Sequence, residues 1–219
     1  MATSSDRAYE ALRTAILNGE YEMGVRLGEV ELASSLDISR TPIREALRRL
    51  AADGLVEVES NRGARVASWT HEDLDEIFVL RELLESHGAA LAAPLITDDE
   101  IGELEQLCGR MEALVDRRTG AALQELNGLN REFHDRILAA SGSPRLPGLV
   151  SSVMQMPLAL RTFSRYSEEA IHRSGHHHRE LVAAFRARDA SWAAAVMRAH
   201  VMAARFEVAC WNSDNAQVS

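Results

Sequence analysis

The hydrophobic period of the chain changes at Gly54, and that switch constrains its first third more than any other feature. From Arg40 to Ala52 the apolar residues Ile43, Ala46, Leu47, Leu50 and Ala51 recur at helical spacing, on one face. After Asp53-Gly54 the segment Leu55-Val56-Glu57-Val58-Glu59 alternates instead. Ser60-Asn61-Arg62-Gly63 has turn composition and Ala64-Arg65-Val66-Ala67 returns, which predicts a β-hairpin. Upstream, residues 6–18 place Ala8, Leu12, Ile16 and Leu17 on one helical face. Gly24 and Gly28 bracket a loop, Val30 to Leu36 reads as a short helix, and Asp37-Ile38-Ser39 as a turn. Pro42 fits the first turn of the helix that follows, with Ser39 or Thr41 as its cap. Three helices and a β-hairpin in this order predict a winged helix-turn-helix domain over residues 1–69.

Beyond Ser68-Trp69-Thr70 the pattern is helical throughout. Helices are expected near 71–92, 98–118, 121–141, 148–166, 168–188 and 190–211, and Thr97 to Glu100 carries a capping-box signature. The expected fold is therefore mainly α, a winged helix-turn-helix followed by an all-α bundle of about six helices over residues 70–219.

Charge narrows the function. The net charge is −9, yet six arginines (40, 44, 48, 49, 62 and 65) face only four acids between Arg40 and Arg65. An acidic protein can still touch DNA through a local basic patch. Arg40, Arg44 and Arg48 form one ridge opposite the apolar stripe, suited to a major groove, and Arg62, Gly63 and Arg65 lie at the hairpin tip. Read on charge alone, the same ridge could serve solubility. All 24 basic residues are arginine, so lysine-based catalysis and a phosphate-binding lysine loop are excluded. Cys108 and Cys210 are too few and too far apart for a disulfide framework or a thiolate zinc site. No apolar run reaches membrane-spanning length and no signal peptide is recognisable, so a cytoplasmic protein is expected.

The stretch Val30-Glu31-Leu32-Ala33, Ile38 to Leu50 and Asp53-Gly54-Leu55-Val56 closely resembles the GntR family of bacterial transcription regulators, and Asn61 to Val66 resembles its wing. The C-terminal part resembles the FadR-like subfamily with an FCD ligand-binding domain. Its marks are Arg81 to Glu85, Asn130 to His134, His178 to Ala184, Asp189 and Met197 to His200. The resemblance implies a homodimer on a pseudo-palindromic operator, switched by a small organic acid. Ser39, Arg40, Thr41, Arg44, Arg48, Arg49, Arg62, Gly63 and Arg65 are then the candidate DNA-binding residues.

His134, His178 and His200 fall on three separate predicted helices, each flanked by apolar residues. Imidazoles converging inside a bundle suit zinc, nickel, iron or copper, but spacing alone favours scattered histidines. The resemblance implies a divalent metal, zinc or nickel, held by an Asp and three His; Asn130 stands at the Asp position and brings no charge. His176 and His177 compete with His178 as ligands, while His71, His87 and His172 read as surface or packing residues. Arg81 is either an i, i+4 partner of Glu85 or a clamp for an effector carboxylate. The competing functions are a regulator for which the metal itself is the signal, and a helical metalloenzyme. Against the enzyme, the chain has no HExxH and no Ser/His/Asp arrangement, and an enzyme leaves the 29–66 segment unexplained.

Overall fold

The structure, a computed structural model, describes residues 3–18, 20–59, 63–68, 71–117, 119–154 and 166–216. It contains two compact units, one holding Met1–Thr70 and the other His71–Val153 with Thr162–Ser219.

The first unit runs α1 (Ser4–Asn18), β1 (Arg26–Leu27), α2 (Glu29–Ser35), α3 (Arg40–Ala52), β2 (Val56–Glu59) and β3 (Gly63–Val66). Ile43, Ala46, Leu47 and Leu50 of α3 are buried against Ala8, Leu12 and Ile16 of α1 and Leu32 of α2, which is the stripe the period predicts. Each large side chain buried this way contributes about 1.5–3 kcal/mol. Two matching stops frame α3. After α2, Asp37 takes φ +53°, its N–H bonds the Ser34 carbonyl, and the Ile38 N–H bonds that of Ala33. After α3, Gly54 takes φ +70°, its N–H bonds the Ala51 carbonyl, and the Leu55 N–H bonds that of Leu50 at 2.8 Å. Both are Schellman closures, in which a left-handed residue turns the chain out of the helix.

The three strands form an antiparallel sheet in the order β1-β3-β2. The hairpin lies where the alternation placed it, but β1 falls in what the sequence reads as a loop. Arg26 and Leu27 pair with Arg65 and Ala64. Two residues carry no period, so only the partner strand could reveal them.

The second unit runs α4 (His71–Ala92), α5 (Asp98–Val115), α6 (Gly120–Ala140), α7 (Leu146–Met154), α8 (Glu168–Arg186) and α9 (Ala190–Ala216). Thr97 caps α5 with a complete capping box: its hydroxyl accepts from the Glu100 N–H at 3.2 Å and its own N–H donates to Glu100 Oε2 at 2.7 Å. Thr119 and Ser167 cap α6 and α8 through single bonds of 3.2 and 3.1 Å. Asp75 pairs with Arg205 and, two turns on, Glu82 with Arg198, which makes α4 and α9 antiparallel neighbours. Glu112–Arg179 and Glu105–Arg186 do the same for α5 and α8. The helix expected over 148–166 is described only as Leu146–Met154, and residues 155–165 lie outside the described residues. No helix among the described residues is long and apolar enough to cross a membrane.

Candidate DNA-reading surface and candidate metal site

Burial of one face of α3 leaves the opposite face to solvent. Arg40, Thr41, Arg44 and Arg48 are all exposed on it. Ser39 is the N-cap residue, and its side chain makes no capping hydrogen bond. Arg49 is placed differently from the arginines with which the sequence groups it. Its Nη1 lies 2.8 Å from Asp6 Oδ1 and its guanidinium sits 4.1 Å from the centre of the Tyr9 ring, so it ties α3 to α1. Gly63 begins β3 at φ +92°, where an added Cβ would come within 3.0 Å of the Leu27 carbonyl oxygen. Arg65 is exposed and its Nη1 donates to the Gly24 carbonyl at 2.5 Å. Arg62 lies outside the described residues.

In the second unit α6, α8 and α9 bring His134, His178 and His200 together, all buried, with ring nitrogens within 4.8 Å of one another. His134 Nε2 and His200 Nε2 are 3.2 Å apart. Two nitrogens bound to one ion at about 2.0–2.1 Å would stand at about this separation. Both ring nitrogens of His178, Nδ1 of His200 and Oδ1 of Asn130 are buried without a hydrogen-bond partner. Unpartnered buried polar atoms are costly, so these side chains are candidates to hold an ion or a ligand. Burial, reinforced by the neighbouring histidines, pushes His178 and His200 well below the ordinary imidazole range, keeping them in the neutral form that binds metal. His177 is half-buried, its ring centre 5.8 Å from that of His200, and His176 is exposed. His87 and His172 are also exposed.

Glu85 is the residue that sequence reasoning undervalued. It is buried, with Oε1 2.7 Å from Arg81 Nε and Oε2 2.7 Å from His134 Nδ1. Burial opposes its ionisation, but the Arg81 guanidinium and His134 outweigh it and hold the carboxyl below its usual range. The sequence offered the Arg81–Glu85 spacing but no sign of the third partner, which comes from α6.

Two cavities flank the histidines. One, of about 20 Å³, is lined by Arg81, Asn130, Arg173, Ser174, His177 and His200 among others. The other, of about 150 Å³, is mostly apolar and lies between α5, α6 and α8, with Met111, Val115, Leu126, Ile171 and Gly175 in its wall beside His178.

A winged helix-turn-helix with an arginine-bearing third helix, joined in one chain to a helical unit with a histidine cluster, defines the class of DNA-binding transcription regulators. The comparisons agree. Residues 4–66 match the bacterial regulatory proteins of the gntR family, and residues 76–203 match the FCD domain. The chain is 31% identical to the Nta operon transcriptional regulator of Aminobacter aminovorans over 74% of this chain and 76% of that one. It is 28% identical to the HTH-type transcriptional repressor GlaR of Escherichia coli (strain K12) over 92% and 94%. It also matches the regulator YdhC of Bacillus subtilis at 33% identity, there spanning 64% of the relative's length and 66% of its own. Among solved structures it resembles E. coli McbR/YncC with a TM-score of 0.74 at 25% identity, over 92% of this chain and 95% of the other. The chain belongs to the GntR family of bacterial transcription regulators and carries an FCD domain. These relatives are regulators of transcription, not enzymes.

Proposed function

We propose that the chain is a metabolite-responsive repressor, binding a pseudo-palindromic operator as a homodimer and sensing a small carboxylate through a metal-holding helical pocket. Residues 1–69 are assigned to DNA and residues 70–219 to the effector and the dimer. The observation that carries the sensing half is the cluster of three buried imidazoles with unpartnered ring nitrogens. The donor set fits a divalent transition metal, zinc or nickel, with His134, His178 and His200 as ligands and Asn130 as a fourth, uncharged one. Bound there, such an ion supplies open coordination positions that a carboxylate can fill. Arg81, at the edge of the smaller cavity, supplies a matching positive charge.

On the DNA side, Arg40, Arg44 and Arg48 are assigned to the major groove, Ser39 and Thr41 to bases or backbone, and Arg62, Gly63 and Arg65 to the wing contact. Arg49 supports the reading helix from behind through Asp6 and Tyr9. A second copy is needed because one helix-turn-helix reads only a few base pairs. The second unit offers it a surface: Leu80 and Leu83 on α4 and Met202 and Phe206 on α9 are exposed, Phe206 by 63%.

One observation favours a second reading, in which the metal alone is the signal. The cavity beside Arg81 holds about one water, and Arg81 already pairs with Glu85. Elemental analysis of untagged protein, followed by operator titrations with zinc alone and with zinc plus a panel of small organic acids, separates the two. Operator release by zinc alone selects the metal sensor. Release that requires an acid selects the metabolite sensor, and protein that takes up no metal after supplementation rejects the metal sensor and leaves Arg81 and the histidines to bind the effector as hydrogen-bond donors.

A further inference from the structure

Glu29 opens α2 directly beside the reading helix. Its Oε2 accepts from Nε of Arg44 at 2.7 Å and from Nη2 of Arg40 at 3.3 Å, so one carboxylate oxygen gathers two guanidinium groups. The acid is partly covered, with 21% of its side chain exposed, while Arg40 and Arg44 remain 56% and 53% exposed. Although burial works the other way, the two arginines hold the Glu29 carboxyl below its usual range, so it is ionised wherever the protein is near neutrality.

A guanidinium carries five N–H donors in one rigid plane. Glu29 takes the Nε donor of Arg44 and leaves the Nη donors at the far end of the guanidinium uncommitted to it. Those are the groups that pair with O6 and N7 of a guanine. A freely rotating arginine serves a phosphate equally well, and phosphate contacts carry no sequence information. A fixed carboxylate beside the guanidinium changes that balance twice. It locks the plane before DNA arrives, and it repels a phosphate that approaches the same nitrogens.

We propose that Glu29 is a positioning residue for sequence reading: it aims Arg44 at base edges, holds Arg40 beside it and disfavours phosphate, setting selectivity more than affinity. This rests on the assignment of Arg44 to a base contact made above. An exposed ion pair contributes little to folding, so the thermal midpoint should stay with the parent when Glu29 is changed.

The test uses the full chain and two duplexes of equal length, one enriched from a random library by the parent protein and one with its sequence scrambled. Glu29→Gln should bind the selected duplex more weakly and the scrambled duplex more tightly, lowering their affinity ratio about tenfold, within what one bidentate base contact contributes. Its salt dependence on the scrambled duplex should steepen, because the released arginines engage phosphates. Equal changes on both duplexes, or none, overturn the proposal. Arg44→Ala is measured alongside. A ratio that falls for Arg44→Ala but not for Glu29→Gln refutes Glu29 alone. A ratio that falls for neither refutes the placement of Arg44, and the role of Glu29 with it.

Discussion

Oε2 of Glu85 lies 2.7 Å from Nδ1 of His134, and the other ring nitrogen of the same imidazole faces His200. A carboxylate behind a histidine fixes its tautomer, with the proton on the carboxylate side and a lone pair toward the cluster. Glu85→Ala should therefore weaken zinc binding by about 10–100-fold, read by competition with a chelator. It should also cost about 3–5 kcal/mol in urea unfolding, because the Arg81 charge is left buried and unpaired. Unchanged zinc affinity would show that His134 is oriented by its packing alone.

Removing two imidazoles, as His178→Ala with His200→Ala, should abolish metal content and effector response while leaving basal operator binding near that of the parent. Asn130→Asp should act the other way and tighten zinc, since a charged oxygen replaces a neutral one. Isothermal titration of the three proteins with zinc orders them. A double variant that still binds one equivalent with the parent's affinity places the metal elsewhere.

The histidine cluster also sets an acid limit. The folded chain holds His178 and His200 below the ordinary value of 6.5, so below that pH the unfolded chain takes up protons that the folded one does not. Metal-free protein should lose stability as pH falls from about 6.5 toward 5, and the double alanine variant should show a flatter slope. Urea midpoints at a few pH values in that window decide it, with parallel slopes as the contrary result.

Arg44→Ala should cost on the order of 1–3 kcal/mol on a matched operator and relax preference at one position in each half-site. Arg49→Ala should act differently. It removes the Asp6 pair and the cover over Tyr9, so its loss should appear in stability before it appears in sequence preference. Binding-site selection on each variant separates the two, and an Arg44→Ala chain with the parent's preference sinks the assignment.

Residues 71–219 expressed alone should sediment as a dimer and residues 1–69 as a monomer. Leu83→Glu combined with Phe206→Glu in the full chain should shift it toward monomer and reduce operator affinity by more than tenfold. Analytical ultracentrifugation reads both, and a dimeric 1–69 fragment would reverse the assignment.

How much of this was legible in the sequence depended on whether a residue's partner lay nearby along the chain. The α3 stripe, the stop at Gly54 and the Thr97 capping box are local, and each lies where its residues placed it. The convergence of His134, His178 and His200 needs three helices to assemble, so spacing alone left it open. Glu85 and Arg49 show the same limit from the other direction. One reads as an i, i+4 partner of Arg81 but also reaches a histidine on α6, and the other reads as a candidate DNA-binding residue but pairs with Asp6 on α1. β1 was missed because two residues cannot express a period.

The central position of β3 bears on transplantation. Residues 29–66 contain the recognisable motif and would be the obvious segment to graft onto another sensor. Cut there, the piece would lose Arg26–Leu27 from one side of β3, along with Ala8, Leu12 and Ile16 from beneath the reading helix. The smallest portable reading head in this chain therefore begins at α1, well before the motif that identifies it.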